Sequence, residues 1–367
     1  MTMPTEMDQS TLDALRESVA SVLAEQCDST ALHGFIDGRT TLERDLWVQA
    51  ATLGWLGFGI PEEYGGLGLG LHGLAILHTE LGRQAAPGPY VATLSAAQVI
   101  VARGADAERK TWLPRIATGE IRAAIPASLN AGQNARLTLS GTSVSGTLRC
   151  LGCPDAAFVL APAGEVWVIV ELAEATAATP MWDRTRDMID IVLRDAKPAA
   201  IMEDATGVAT ALLQAMTLAI SADSAGAARS ITDRTIAYMK TRQQFGQPIA
   251  GFQALKHRAA DLVTRLAVMD ETVAHALHRA AVDAPDADIW TSLAKAETTE
   301  NFVFIATDCV QLHGGVGFTW DYDPQIFLKR ARLNEMLAMA NPALRDRAAV
   351  DLAVTTLAGH SALELGL

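Results

Sequence analysis

The sequence predicts a mainly helical protein in which a small β domain separates an N-terminal helical domain from a C-terminal helical bundle. Three observations carry this. Apolar residues recur at helical spacing in the first third and again from about residue 205 almost to the end, while strand-like alternation fills the interval. Aromatic residues are only 5% of the chain and alanine is abundant, which favours closely packed helices over a large sandwich. At 367 residues, 50% hydrophobic and 19% charged, the chain is long enough to bury two or three cores.

In the first segment Leu12, Leu15, Val19 and Val22 keep the three-to-four spacing of a helix face. Ile60-Pro61-Glu62-Glu63-Tyr64-Gly65-Gly66-Leu67-Gly68 then interrupts it with a proline and three glycines that must form a turn, and a helix resumes over Leu71–Leu81. Strands are predicted around Leu137-Thr138-Leu139-Ser140 and Val166-Trp167-Val168-Ile169-Val170, consistent with a small barrel or sandwich. Past Ala205 the helical pattern returns, broken at Gly246–Gly251, Asp283–Asp286 and Gly314–Gly317, which leaves room for a four-helix bundle. Its clearest helix runs from Phe252 to about Ala281, with Leu255, Ala259, Leu262, Leu266, Met269 and Val273 along one face. The domains are placed at residues 1–121, 122–204 and 205–367.

A net charge of -13 argues against nucleic acid and anionic membranes as partners. Met1–Asp8 lacks the basic and apolar regions of a secretory signal, and no uninterrupted apolar run is read as long enough to span a bilayer, so a cytoplasmic chain without membrane insertion is expected. Of Cys27, Cys150, Cys153 and Cys309, only Cys150-Leu-Gly-Cys153 has ligand-like spacing. With no second pair, reduced thiols and no metal site are the expectation.

Two stretches carry candidate chemistry. In Tyr238-Met239-Lys240-Thr241-Arg242-Gln243-Gln244-Phe245-Gly246-Gln247-Pro248-Ile249, a guanidinium beside a Gly-Gln-Pro turn offers charge-assisted donors to a pyrophosphate, with Phe245 as a flat surface for a nucleobase. The plainer alternative is an arginine capping a helix C-terminus. In Gln311-Leu312-His313-Gly314-Gly315-Val316-Gly317-Phe318, paired glycines admit a phosphate or ribose close to backbone N–H groups, or simply end a helix; His313 is read as a packed residue.

Together with Leu53-Gly54-Trp55-Leu56-Gly57 and the Ile60–Gly68 turn, these stretches resemble the acyl-CoA dehydrogenase family over essentially the whole chain, and the resemblance implies that family's three-domain fold. It implies that Arg242, Gln244, Phe245 and Gln253 from the first stretch, and Gln311, Gly314 and Gly315 from the second, contact the adenosine side of an FAD held across a subunit interface. The family's reaction is α,β-dehydrogenation of an acyl-CoA thioester, with a carboxylate taking the α proton and electron-transfer flavoprotein as the implied acceptor.

The expected base is missing. Aligning back from Arg242 puts Met216 at one of the family's two glutamate positions, and Met339-Ala340-Asn341-Pro342 stands in the loop that carries the other; a thioether is no base. Glu335, about one helical turn early, is a weak substitute. Ile125-Pro126-Ala127-Ser128-Leu129-Asn130-Ala131-Gly132-Gln133-Asn134 replaces the family's Thr-Glu-Pro-Gly and Gly-Ser-Asp segment. Leu148-Arg149-Cys150-Leu151-Gly152-Cys153 replaces its flavin-covering Trp-x-Thr, and Thr217 a substrate-contacting arginine. Asp183-Arg184-Thr185-Arg186 does resemble the end of the family's β domain. The implied function is the base-lacking subunit of a bacterial heteromeric acyl-CoA dehydrogenase, a heterotetramer acting on fatty or steroid side-chain thioesters with a homologous catalytic partner. The alternatives are a self-sufficient homotetramer using Glu335 and a catalytically dead assembly module.

Overall fold

The computed structural model describes residues 9–130, 137–173 and 177–359. Six helices open the chain: α1 (Gln9–Gln26), α2 (Ser29–Ile36), α3 (Leu42–Thr52), α4 (Gly70–Arg83), α5 (Tyr90–Arg103) and α6 (Asp106–Ala117). Asp28 starts α2 by accepting the Ala31 amide at 2.7 Å, which satisfies one of the free N–H groups of the first turn. The predicted Pro-Gly turn sits between α3 and α4.

Eight strands follow: β1 (Ala123–Pro126), β2 (Leu137–Ser140), β3 (Ser143–Leu151), β4 (Phe158–Ala163), β5 (Val166–Glu171), β6 (Ala178–Thr179), β7 (Met188–Ala196) and β8 (Ala200–Met202). They form one sheet in the order β6-β7-β3-β1-β4-β5-β8, and β2 also pairs with both β3 and β4. β1 and β2 therefore lie one after the other between β3 and β4. Both faces of the central strands are buried. Phe158, Leu160, Trp167 and Ile169 face the helical domains, while their alternate neighbours Val159, Ala161, Val168 and Val170 face the β domain's own core. Two buried faces require a continuous apolar run, which is the texture of Val166–Val170.

The C-terminal bundle is built on α7 (Ala205–Thr241), α8 (Gln253–Ala281) and α9 (Ala287–His313), completed by α10 (Pro324–Met336) and α11 (Asn341–Leu357). Leu262, Leu266 and Met269 of the predicted α8 stripe are buried in the core; Leu255, Ala259 and Val273 pack partly buried at its edge. Where the sequence predicts four long helices, the chain makes three long and two shorter ones. The last stretch breaks at Leu337–Ala340, where Ala338 takes a φ of 62° and bridges to Ser128 of the β domain. By length and composition alone, α7 is long and apolar enough to cross a membrane. Its most apolar window is 61% buried inside the protein, and it packs against α4, α5, α8 and α9. Its apolarity thus serves core packing.

Midway along α7, the buried Asp223 joins all three domains of the chain. Its carboxylate accepts Arg330 Nη2 at 2.5 Å and Asn334 Nδ2 at 2.8 Å from α10, and lies 2.9 Å from Arg186 Nη2, just before β7 of the β domain. Arg330 in turn donates to Thr185 Oγ1 at 2.8 Å and to the Ala86 carbonyl of the N-terminal domain at 3.2 Å. Burial alone would raise the Asp223 carboxyl, but the two guanidiniums beside it win and hold it below the usual carboxylate range. Close by, α4 and α7 cross at glycines. A Cβ on Gly226 would stand 2.0 Å from the Thr79 carbonyl oxygen, and one on Gly82 would stand 2.1 Å from that of Asp223.

Asp223→Ala leaves two buried arginines without their anion and is expected to cost about 3–5 kcal/mol in urea unfolding. Gly226→Ala must push the two backbones apart and is expected to cost about 1–3 kcal/mol by the same measurement. A loss below half a kilocalorie per mole in either would show that the site relaxes freely.

Candidate functional site

α7 ends at Arg242, which leaves the helical conformation (φ −68°, ψ 122°) while its N–H still bonds the Tyr238 carbonyl at 2.9 Å. The chain then makes a two-strand ribbon, β9 (Gln243–Gln244) against β10 (Gln247–Pro248), with Phe245 and Gly246 at the tip. Both tip residues have positive φ, 52° and 80°, as a tight two-residue hairpin turn demands. For Phe245 that conformation costs of order 1 kcal/mol or more. The ring gains little burial in return: the residue is 92% exposed, set edge-on to Phe252 at 6.1 Å between centroids. Arg242 and Gln244 are exposed on the same ribbon, Gln253 is exposed at the start of α8, and Arg242 forms no ion pair among the described residues.

The second stretch ends α9. His313 is buried, its Nδ1 2.8 Å from the Cys309 carbonyl, and its ring stacks on Tyr238 at 4.3 Å and 17°. This is the packed role read from the sequence, and burial lowers its proton affinity. The stack ties the last turn of α9 to the last turn of α7, so Gln311, Gly314 and Gly315 lie at the same end of the bundle as Arg242. Gly314 has a φ of 67° with ψ −148°, a backbone reserved for glycine, and a Cβ on Gly314 or Gly315 would meet nothing within 4 Å. Gln311, Gly314 and Gly315 are exposed. The structure thus presents an aromatic face, a free guanidinium and an open glycine turn to solvent.

The catalytic side is different. Met216 is fully buried in α7, and the Thr217 hydroxyl donates to the carbonyls of Leu213 and Gln214 in its own helix. Glu335 is half-buried in the last turn of α10, where Arg332 Nη1 donates to its Oε2 at 3.2 Å. Ala338 N donates to Ala127 O at 3.0 Å and Ala338 O accepts Leu129 N at 2.5 Å, so the loop expected to hold the base is zipped to the loop expected to face the flavin. The amides of Ala127 and Asn130 are also taken, by Arg149 O and Ser128 Oγ. Residues 131–134 of that predicted segment lie outside the described residues. Cys150 and Cys153 are buried thiols.

Sequence reasoning missed the group that fixes this loop. Lys295 on α9 is fully buried and donates to Glu335 O at 2.8 Å, Met339 O at 2.8 Å and Asn341 Oδ1 at 3.0 Å. Three oxygens occupy the three N–H bonds of an ammonium. Burial nonetheless pushes Lys295 down to about 7, against the pull of the Glu335 carboxylate. Nothing in its local sequence, Thr291-Ser292-Leu293-Ala294-Lys295-Ala296-Glu297, sets this lysine apart from a solvated one.

Residues 9–120 match the acyl-CoA dehydrogenase N-terminal domain, and residues 206–345 the acyl-CoA dehydrogenase C-terminal domain. Acyl-CoA dehydrogenase IpdE2 of Mycobacterium tuberculosis is 30% identical, over 86% of this chain and 89% of its own length. Acyl-CoA dehydrogenase FadE34 of the same organism is 32% identical over 88% of this chain, which spans 45% of that protein's length. The chain belongs to the acyl-CoA dehydrogenase family of FAD-dependent oxidoreductases. Two solved structures share the fold at 24% identity. A variant of the "Tcur3481-Tcur3483 steroid ACAD" has a TM-score of 0.85, covering 95% of this chain and 99% of the other. The "ChsE4-ChsE5 complex from Mycobacterium tuberculosis" has a TM-score of 0.81, covering 99% and 100%.

Because Lys295 sits below its ordinary 10.5 in the folded state, the unfolded chain holds more protons from about pH 7 up to that value, and folding stability rises with pH across the window. Urea unfolding of the wild type should show this slope and Lys295→Met should flatten it. An unchanged slope in the variant would place the proton uptake elsewhere.

Proposed function

We propose that this chain is the non-catalytic partner subunit of a heteromeric acyl-CoA dehydrogenase, completing an FAD site shared with a homologous subunit that carries the base. The observation that carries the reading is Phe245, a strained and almost fully exposed aromatic at a hairpin tip. A protein that tolerates strain to hold a ring in water has a use for the ring at an interface.

The residues fit one half of FAD and not the other. Phe245 offers a stacking face for adenine, Arg242 charge-assisted donors for the pyrophosphate, and Gly314 and Gly315 a surface that ribose or phosphate can approach closely. Gln244, Gln253 and Gln311 supply neutral donors and acceptors around them. On the side expected to face the isoalloxazine, the amides of Ala127, Leu129, Asn130 and Ala338, among the described residues, are already taken. When bound, FAD supplies hydride acceptance from the β carbon of the thioester. The proton from the α carbon needs a carboxylate that Met216 and Met339 cannot provide, so the base comes from the partner. In this reading the chain's own work is to bind and orient the nucleotide end.

The two-protein names of both solved structures support the heteromeric reading, and the word "steroid" in one supports a bulky acyl-CoA such as a steroid side-chain thioester. Electron-transfer flavoprotein is the proposed acceptor, in keeping with a structural neighbour described as an electron transferring flavoprotein.

Visible flavin absorbance, scored per subunit on the chain alone and co-produced with a family member bearing an intact glutamate, tests the proposal. Flavin is expected only in the complex. Phe245→Asn should leave stability equal or slightly higher, since Asn accepts positive φ, and weaken FAD retention about tenfold or more. A full flavin complement in the chain alone, with dehydrogenation abolished by Glu335→Gln, would establish the self-sufficient alternative. No flavin with any such partner would leave an assembly module.

A further inference from the structure

A shallow, open cleft lies where the segment before β7 meets the start of α10. Its walls combine groups seldom found together on a protein surface. Trp182 is 87% exposed and Trp320 is 54% exposed. Arg184 and Lys329 flank the Trp320 ring, with Cζ and Nζ at 5.7 Å and 4.5 Å from its centroid. Neither cation forms an ion pair within 4 Å among the described residues: Arg184 donates to the Ile36 carbonyl and Lys329 to Gln325 Oε1. The two also repel each other. Burial, and then the Arg184 charge, makes the Lys329 ammonium harder to keep protonated.

The cleft floor holds two polar atoms without partners. Gln325 is 2% exposed, its Oε1 is taken by Lys329, and its Nε2 has no hydrogen-bond partner. Asp183 is also 2% exposed; its Oδ1 accepts from Thr185, and its Oδ2 has no partner. A buried donor left open costs roughly 1–3 kcal/mol, so a chain keeps one where something else fills it. Gln325 lies in the first turn of α10, where the helix dipole adds to the positive field.

From this juxtaposition we infer that the cleft binds a purine nucleoside phosphate, with the base on Trp182 and the phosphate between Arg184 and Lys329. The ring faces settle how the ligand is oriented. Trp320 is already covered by the two cations, so Trp182 is the open stacking surface, and an anion bridging Arg184 and Lys329 relieves their repulsion. Gln325 Nε2 then donates to a phosphate or ribose oxygen, and Asp183 Oδ2 accepts from a ribose hydroxyl or an exocyclic amine. An inorganic anion would use the cations and leave Trp182 and Asp183 unsatisfied. A purely apolar ligand would leave the cations and Gln325 unsatisfied. None of the residues lining this cleft belongs to the Arg242 hairpin, and the inference does not depend on the proposed partnership.

Isothermal titration of the full chain with ADP tests it, with adenosine and inorganic phosphate as partial probes. ADP is expected to bind with a Kd on the order of 0.1 mM, and each partial probe about tenfold or more weaker. Trp182→Ala removes a side chain in contact with little else, so it should melt like the wild type while ADP binding weakens about tenfold; Lys329→Met should weaken ADP similarly. Three outcomes overturn the proposal. They are no ADP binding at millimolar concentration, phosphate binding as tightly as ADP, and ADP binding lost in Phe245→Asn but kept in Trp182→Ala, which would move the nucleotide to the hairpin.

Discussion

A single buried carboxylate holds the architecture together. Asp223 faces Arg186 from the β domain and Arg330 from α10, while Arg330 also reaches the Ala86 carbonyl of the N-terminal domain. Replacing such a cluster as a whole with apolar groups can be neutral, but removing one member strands buried charge. Its contribution is therefore chiefly to specificity: the carboxylate meets both guanidiniums only when the three domains are brought together at this point. The last turns of α7 and α9, stacked on each other through Tyr238 and His313, carry the exposed hairpin and glycine turn at one end of the bundle.

Much of the fold was legible because its signals are local. Helical spacing, the Pro-Gly turn and the switch to apolar runs at Val166–Val170 each depend on neighbours in sequence. The α8 stripe was readable to within a residue at its start, Gln253, and at its end, Ala281. The count of long bundle helices was not, because the break at Ala338 comes from pairing with Ser128, more than two hundred residues away. The apolarity of α7 is easy to underestimate for a related reason. Small residues such as Ala and Gly, spread among Leu, Ile and Met, make an apolar helix without an obvious apolar run.

The site divides the same way. Arg242, Phe245 and the Gly314–Gly315 pair could be picked out because the chemistry is written in consecutive residues. Nothing in the sequence announced that Tyr238 and His313 would stack and bring the two stretches to one end of the bundle. Nor did it announce that Lys295 would hold the Glu335–Asn341 segment from another helix. These are contacts between residues tens of positions apart, each ordinary in its own local context. Methionines at 216 and 339, where the resemblance led to an expectation of glutamate, could be read directly from the sequence.

The crossing of α4 and α7 carries a mechanical consequence. At Gly82 and Gly226 the two backbones approach so closely that a methyl group would overlap a carbonyl oxygen. Packed surfaces of that kind have no slack for sliding, and neither helix has a bulky knob at the crossing that could step into a second groove. The N-terminal domain and the bundle must then travel as one rigid body. Whatever freedom the molecule uses to admit a ligand lies away from this crossing, because a contact with no room for a methyl group leaves the two helices no second register.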